Sequence, residues 1–260
     1  MNSIVTMGRG GTGKTSFVAL LTRFLIEHNE TPLLLIDADP DQNLAEMVGI
    51  DLHRMGIQTI SEILYNVAAD GGTLTGIPPY NRIEGAIWQT GLYEGDFFDL
   101  LAIGTKWREG CYCLPNNVLK KLIPEMANRY QHTLIDSPAG LEHLNRRITS
   151  QVDTIFDVLD YSKKSFEHVK RAYRILDELN ISYTNFYLIG GHEVPDSFSK
   201  IAQQETGVKF VGTIAYDDVL RKYVAHGRSL LDLPSASPAY VSIQKILNRL
   251  RVHIADSAPS

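Results

Sequence analysis

The chain has 260 residues, of which 44% are hydrophobic and 21% are charged, and its formal net charge at pH 7 is -5. This length and composition predict one globular domain, residues 1–260, and the negative charge argues against general nucleic-acid binding. Its apolar runs are too short to span a bilayer and no secretory signal is visible, so we expect a cytoplasmic protein without a membrane partner.

Short apolar runs alternate along the chain with longer segments of helical periodicity. This alternation predicts an α/β fold with a mostly parallel central sheet and helices on both faces. The predicted strands are Ser3–Met7, Pro32–Asp37, Phe97–Ile103, Gln131–Asp136, Thr154–Leu159, Asn185–Ile189 and Lys209–Gly212. The predicted helices are Lys14–His28, Ile60–Val67, Asn116–Asn128, Leu141–Ser150, Ser162–Leu179, Asp196–Glu205, Tyr216–His226 and Pro238–His253. Ala68–Pro79, rich in Gly, Thr and Pro, is predicted to be a surface loop.

The first predicted strand leads into the sequence Gly-Arg-Gly-Gly-Thr-Gly-Lys-Thr at residues 8–15. It matches the phosphate-binding pattern G-x-x-x-x-G-K-[ST] between a strand and a helix, which is the context that the motif requires. Glycines let backbone N–H groups approach phosphate oxygens, and the helix N-terminus adds positive potential. Lys14 is expected to contact the β- and γ-phosphates and Thr15 to bind Mg²⁺. The expected nucleotide-binding residues of this loop are Gly8, Arg9, Gly10, Gly11, Thr12, Gly13, Lys14, Thr15 and Ser16.

Three aspartates lie at the ends of two further predicted strands. Asp37 and Asp39 follow the run Leu-Leu-Leu-Ile, and Asp136 ends the run His-Thr-Leu-Ile. The carboxyl ends of parallel strands meet at one edge of the sheet, so these carboxylates are expected beside the phosphate loop. There they can hold Mg²⁺ or orient the attacking water, whereas a single strand-end aspartate could equally be a turn residue or a helix cap.

The loop sequence G-R-G-G-T-G-K-T resembles the deviant Walker A loop, K-G-G-x-G-K-[ST], of the ParA/MinD group of ATPases. Asp37-Ala-Asp39-Pro40 resembles the first switch of that group, and Asp136-Ser-Pro-Ala-Gly140 resembles the second. The resemblance implies an ATPase that uses ATP and Mg²⁺, and a homodimer that ATP closes and hydrolysis opens. It also implies that Asp39 positions the attacking water and that Asp136 holds a water on Mg²⁺.

Arg9 stands where the group carries its signature lysine, which reaches the nucleotide of the partner subunit. Arginine keeps the charge and can contact phosphate through two N–H groups. We therefore expect Arg9 to act in trans as an arginine finger, so that Lys14, Asp39 and Arg9 form the catalytic set. The group often reads adenine with an Asn where this chain has Leu188–His192, so the residue that selects the base is open and His192 is one candidate.

A narrower resemblance rests on Asp136-Ser-Pro-Ala-Gly-Leu-Glu-His-Leu144 together with Cys111-Tyr-Cys113. Both segments are similar to segments of the CooC-type ATPases, which insert nickel during the maturation of carbon monoxide dehydrogenase. The resemblance implies that the Cys-x-Cys pairs of two subunits bind one Ni²⁺ or Zn²⁺ for a client such as carbon monoxide dehydrogenase or acetyl-CoA synthase. Four thiolates suit a thiophilic ion, and a twofold dimer supplies them from two cysteines per chain.

Other interpretations of these residues stay open at the level of the sequence. The cysteines could bridge an Fe–S cluster for electron transfer, or they could be small packing residues. The chain could also be a positioning ATPase of the ParA/MinD type that acts on DNA or a membrane. The amphipathic segment Ser242–His253 would then be a membrane contact, although packing of its apolar face onto the domain is the more common role.

Overall fold

The structure is a computed structural model, and it describes residues 2–69, 79–104, 121–138, 151–195 and 197–256. The strands are β1 (Asn2–Gly8), β2 (Leu33–Asp37), β3 (Leu92–Tyr93), β4 (Phe98–Ala102), β5 (His132–Asp136), β6 (Gln151–Leu159), β7 (Ser182–Gly190) and β8 (Lys209–Thr213). The helices are α1 (Lys14–Glu27), α2 (Asn43–Met47), α3 (Ile60–Ala69), α4 (Pro79–Ala86), α5 (Lys163–Glu178), α6 (Phe198–Thr206), α7 (Asp218–Ala225) and α8 (Pro238–Asp256). Residues 121–127 are also helical, Ile87–Gly91 form a π-helix and Leu230–Asp232 form a 3₁₀ turn.

The eight strands form one sheet in the order β3-β4-β2-β5-β1-β6-β7-β8. Every neighbouring pair is parallel except β3 and β4, so the predicted α/β fold with a mostly parallel sheet is confirmed. β1 lies in the interior of the sheet, and its residue Thr6 is in register with Asp136 of β5, which is in turn in register with Asp37 of β2. The carboxyl ends of these central strands therefore meet at one edge, where an open α/β sheet places its ligand site.

Helices cover both faces of the sheet. Successive residues of a strand point to opposite faces, so one strand contributes side chains to both cores. In β2, Leu34 and Ile36 join one core, which also contains residues of α3, α4, residues 121–127, α5 and α6. Leu33 and Leu35 join a second core with α1, α2 and α8. We call these the α5 face and the α1 face of the sheet. The near-continuous apolar sequence of β2 follows from this double burial.

The last helix packs against the domain through its apolar side. Ile243, Ile246, Leu247 and Leu250 of α8 are all buried in the core of the α1 face, together with Tyr240. The amphipathic character of this segment is thus explained by tertiary packing along the part whose side chains the structure describes. Among the described residues, no helix has both the length and the apolar character needed to cross a membrane.

Several short elements were not predicted from the sequence. They are α2, α4, the π-helix and the antiparallel edge strand β3, and each has eight residues or fewer. Such elements carry too few turns or pleats for a periodic signal. The predicted helix Leu141–Ser150 lies outside the described residues, as do residues 116–120 of the predicted helix Asn116–Asn128 and residues 70–78 of the predicted loop Ala68–Pro79. The described ends of that loop, residues 68–69 and 79, are instead helical and belong to α3 and α4. Other predicted elements differ from the observed bounds by up to three residues.

Candidate functional site

The phosphate loop connects β1 to α1 and folds around the backbone carbonyl of Arg9. The Thr12 hydroxyl donates a hydrogen bond to this carbonyl at 3.0 Å, and the Lys14 ammonium donates another at 2.9 Å. The loop leaves β1 at Gly8, whose φ of 140° suits glycine and where a Cβ would lie 2.4 Å from the Val158 carbonyl oxygen. Only glycine permits this close approach of the loop to β6.

Lys14 is buried at the N-terminus of α1, with 6% of its surface exposed. Burial lowers the pKa of Lys14 below its usual value, while the nearby carboxylates of Asp136, Asp39 and Asp157 act in the opposite direction. Its present partner is a neutral carbonyl, so an anionic group beside it would add the charge compensation that this buried ammonium lacks. A nucleotide phosphate is such a group.

Asp37 anchors the loop that follows β2. Its carboxylate accepts hydrogen bonds from the backbone N–H of Leu44 at 2.9 Å and from that of Asp39 at 3.1 Å. Burial, followed by the neighbouring Asp136 carboxylate, raises the pKa of Asp37 to about 8 against the opposing effect of these bonds. Asp37 thereby holds the turn that brings the half-buried Asp39 to the wall of the site cavity.

Asp136 is fully buried at the end of β5, and burial raises its pKa to about 7. Among the described residues neither carboxylate oxygen finds a hydrogen bond of normal geometry, although the Thr15 hydroxyl and the Lys14 ammonium are close enough to oppose the rise in pKa. A buried carboxylate left without hydrogen bonds beside a hydroxyl fits a hard divalent cation, which prefers oxygen ligands. Thr15 and Asp136 are therefore the residues that would hold Mg²⁺.

A cavity of about 900 Å³ opens from the loop along the α1 face. Its lining includes the loop residues from Gly10 to Ser16 and Asp39, which we call the phosphate end, and His192, Tyr216 and Arg221, which we call the second end. The volume lies in the range of pockets that hold drug-sized ligands and cofactors. The cavity thus has a phosphate end, with backbone N–H groups and an ammonium, and a second end with aromatic side chains.

The second end of the cavity contains two residues, Tyr216 and Arg221, that the sequence did not single out as site residues. The centroids of the Tyr216 and His192 rings lie 6.2 Å apart, and the Tyr216 hydroxyl accepts a hydrogen bond from Arg221 Nη1 at 2.7 Å. Asp217 caps α7 through the N–H groups of Val219 and Leu220, which fixes the backbone next to Tyr216. In the sequence, this segment is marked by an aspartate near the start of a predicted helix that follows a predicted strand. Such aspartates are common, so the feature does not identify a binding site.

Gly191 brings the His192 loop against the phosphate loop. A Cβ at Gly191 would lie 2.6 Å from the carbonyl oxygen of Thr12, so a larger residue would push the two loops apart. His192 lies on the wall of the cavity and its side chain is 40% exposed. The structure therefore places His192, which the sequence left open, on the cavity wall, in a loop that packs against the phosphate loop.

Arg9 does not line this cavity. Its guanidinium turns to the α5 face, where Nη1 lies 2.5 Å from Asp160 Oδ2 and donates to the Ser162 hydroxyl at 3.0 Å. Hydrogen bonds from Ser162 and Ser165, together with the Arg9 charge, hold the pKa of Asp160 below its usual range despite partial burial. Within one chain, Arg9 is thus directed away from the nucleotide-sized cavity.

The structure brings most of the predicted site residues together. The cavity wall contains Gly10, Gly11, Thr12, Gly13, Lys14, Thr15, Ser16 and Asp39. Asp37 and Asp136 lie beneath the loop at the ends of adjacent strands. Cys111 and Cys113 lie outside the described residues. Within the part of the chain that is described, no group of three or more His, Cys, Asp and Glu side chains is arranged to hold a metal ion.

A glycine loop between the first strand and helix, with a lysine and strand-end carboxylates, defines a P-loop nucleotide-binding protein. Residues 3–230 match the CobQ/CobB/MinD/ParA nucleotide binding domain family, and the chain belongs to that family. An uncharacterised ATP-binding protein of Methanocaldococcus jannaschii is 30% identical over 253 residues, which cover 95% of this chain and 97% of that protein. The carbon monoxide dehydrogenase accessory protein CooC of Rhodospirillum rubrum is 25% identical over 257 residues, covering 95% and 97%.

The fold has close counterparts among solved structures. The septum site-determining protein MinD of Pyrococcus horikoshii, solved in complex with Mg-ADP, superposes with a TM-score of 0.67 at 18% identity and covers 100% of both chains. At this identity the similarity shows the fold alone.

Proposed function

We propose that the protein is an ATP-hydrolysing metallochaperone that closes as a homodimer around ATP and binds one Ni²⁺ or Zn²⁺ between its subunits. The observation that carries this proposal is the similarity to a carbon monoxide dehydrogenase accessory protein along 95% of the chain, combined with Cys111-Tyr-Cys113. The client is proposed to be carbon monoxide dehydrogenase or acetyl-CoA synthase. Delivery of the ion would be coupled to opening of the dimer after hydrolysis.

The cavity on the α1 face supports the ATPase part of the proposal. Lys14 and the loop N–H groups bind the phosphates, and Thr15 with Asp136 holds Mg²⁺, which neutralises phosphate charge when it is bound. Asp39 is the half-buried carboxylate at the phosphate end, and it orients the water for attack. At the other end the adenine base is proposed to stack on Tyr216, because aromatic rings favour offset stacking and His192 borders the same space.

Arg9 supports the dimeric part of the proposal by its orientation. A residue that faces away from the cavity of its own chain is available to a second subunit, and arginine suits bidentate phosphate contacts. In the proposed cycle the guanidinium leaves Asp160 and binds the nucleotide phosphates of the partner. Its carbonyl stays in place, because Thr12 and Lys14 both donate to it.

The proposed metal is cargo and binds to cysteine thiolates from both chains. Two sulfur ligands per chain leave a tetrahedral ion incomplete, and a second copy completes the four. Ni²⁺ and Zn²⁺ both accept thiolate, so the donor set selects the class of ion and leaves the element to experiment. An Fe–S cluster would also be satisfied by four cysteines from two chains, so the experiment must distinguish a cluster from a single ion.

A positioning function at a membrane lacks a supporting observation among the described residues. The apolar side of α8, the candidate membrane contact, is occupied by packing on the α1 face. The net charge of -5 gives no general attraction to DNA. We therefore favour a metallochaperone function over a positioning function.

Metal stoichiometry measured together with oligomeric state tests the proposal. Anaerobically purified protein is analysed by elemental analysis and sedimentation velocity, with and without Mg-ATP. We expect one Ni²⁺ or Zn²⁺ per two chains, and loss of that ion in the Cys111→Ala/Cys113→Ala variant with ATP binding retained. Lys14→Ala is the matched control, because it should lose ATP binding and keep the cysteines. A double cysteine variant that binds metal like wild type, or a brown iron-containing dimer, would contradict the proposal.

A further inference from the structure

A second pocket lies on the α5 face, on the other side of the phosphate loop from the nucleotide cavity. Its volume is about 460 Å³, and Gly10 lines both spaces. Its walls carry four basic side chains, Arg9, Lys164, Arg171 and Arg174, and we call it the basic pocket. In a protein whose net charge is -5, four cations around one concave space are a local concentration of positive potential.

Three of these cations lack ionic partners. Lys164, Arg171 and Arg174 are exposed on α5, and none of them forms a salt bridge with any residue that the structure describes. Their spacing of seven and three residues places them on one helix face. In contrast, Lys170 of the same helix lies 3.5 Å from Glu205 and is not part of the pocket.

The pocket also has a deep, ordered wall. His168 lines it and is only 4% exposed, and its Nδ1 lies 3.2 Å from Asp157 Oδ2. This contact with the buried Asp157 carboxylate orients the His168 ring. Burial lowers the pKa of Lys14, and the Asp157 carboxylate is one of the three that oppose this lowering. The wall of the basic pocket is thus electrostatically connected to the phosphate loop.

We propose that the basic pocket binds a small phosphorylated compound, and that this ligand competes with Asp160 for the Arg9 guanidinium. Arginine forks match phosphate oxygens, and the volume suits a small molecule. Glu167 lies in the same wall and repels a plain polyanion, so it favours a phosphate compound that also carries an ammonium or hydroxyl donor. A nucleic acid strand would need a longer row of cations than one pocket supplies.

Arg9 connects the two spaces. Its carbonyl accepts from Lys14 in the nucleotide cavity, whereas its guanidinium lies in the basic pocket. A ligand that draws the guanidinium away from Asp160 therefore changes the charge distribution next to the phosphate loop, while the Arg9 carbonyl keeps its hydrogen bonds. Coupling of this kind is reciprocal, so Mg-ADP and the phosphorylated compound should change each other's affinity by the same factor. The binding itself does not depend on the metallochaperone function.

Calorimetric titration of the Mg-ADP-saturated protein tests the site, with pyrophosphate and phosphoethanolamine as probes. ADP occupies the P-loop, so the probes report on the basic pocket. We expect saturable binding of one probe per chain, weakened roughly tenfold or more in Arg171→Gln/Arg174→Gln, because two charge-assisted contacts are lost. Lys170→Gln removes one charge from the same helix outside the pocket and should change the affinity by less than about twofold.

Glu167→Gln should change the affinities for the two probes in opposite directions. It should strengthen pyrophosphate binding by removing repulsion and weaken phosphoethanolamine binding by removing the partner of the ammonium. No saturable binding, unchanged affinity in the double arginine variant, or an equal loss in Lys170→Gln would overturn the proposal. Tighter binding of an oligonucleotide, an acidic peptide or anionic vesicles than of both probes would overturn it as well. Failure of nucleotide binding appears separately, in the preceding ADP titration.

Discussion

Substitution of Asp136 by Asn should stabilise the nucleotide-free protein at neutral pH while it impairs Mg-nucleotide binding. Asp136 is fully buried, and its oxygens make no hydrogen bond of normal geometry with described residues. Ionisation at this position is therefore unfavourable in the folded state and raises the pKa to about 7 from an ordinary 3.8. An amide of the same shape removes the charge and leaves the packing nearly unchanged.

The sign and size of the pH effect follow from linkage. A carboxyl whose folded pKa is raised contributes its full stability below the unfolded pKa and loses it as the pH rises toward the folded pKa. For Asp136 the loss therefore runs from about pH 4 to pH 7. From pH 5 to the folded pKa is about 2 units, at about 1.4 kcal/mol each, so the advantage of Asp136→Asn should grow by about 3 kcal/mol between pH 5 and pH 8.

Urea unfolding in buffer with EDTA and without nucleotide measures this difference at pH 5, 6, 7 and 8. Asp41→Asn is the control, because Asp41 is an exposed carboxylate on the wall of the same cavity and its removal should leave the pH dependence unchanged. Addition of Mg-ADP should reverse the order, since a ligand that binds only the folded state stabilises wild type by an amount set by its affinity. A stability gap that stays constant from pH 5 to pH 8 would refute the argument that Asp136 is an uncompensated buried charge.

Substitutions at two further positions test the other parts of the site. Arg9→Ala should abolish ATP-driven dimerisation in sedimentation velocity, whereas Arg9→Lys should retain part of it because the positive charge remains. Dimerisation and hydrolysis unchanged in Arg9→Ala would eliminate the trans role. Tyr216→Ala should raise the Kd for ADP roughly tenfold through loss of stacking, and Tyr216→Phe should bind within about twofold of wild type. Equal ADP affinity of wild type, Tyr216→Ala and Tyr216→Phe would show that the base does not stack on Tyr216.

The phosphate end of the site could be predicted because its residues are local in sequence and carry a specific pattern. Lys14 and Thr15 close a motif of eight residues, and Asp37 and Asp136 end strands that are buried on both faces. The residue pattern alone does not separate the roles of Asp37 and Asp39, and only the family resemblance assigns Asp39 to the attacking water. That distinction depends on the hydrogen bonds from Leu44 and Asp39 to the Asp37 carboxylate, and these require the turn and α2 to be formed.

The rest of the site depends on contacts between distant segments. Tyr216 and Arg221 lie about 200 residues after the loop and reach it only because β8 and α7 are placed by the sheet order. The basic residues of α5 are visible in the sequence as a polar helix face, which is normally just solvated. Their significance comes from the position of Arg9 opposite them, at a separation of 151 residues from its partner Asp160.

The ion pair between Arg9 and Asp160 is weak enough to be exchanged. Both side chains are about one-third exposed, at 35% and 33%, and ion pairs with this degree of solvation contribute up to about 1 kcal/mol. That corresponds to roughly a fivefold shift in an equilibrium, which a multiply charged phosphate can readily overcome. Little free energy is therefore needed to separate Arg9 from Asp160. Binding of the guanidinium to a partner's nucleotide, or to a phosphorylated ligand in the basic pocket, can supply it. Because one guanidinium cannot serve both at once, the two proposed events must oppose each other in any cycle that uses Arg9.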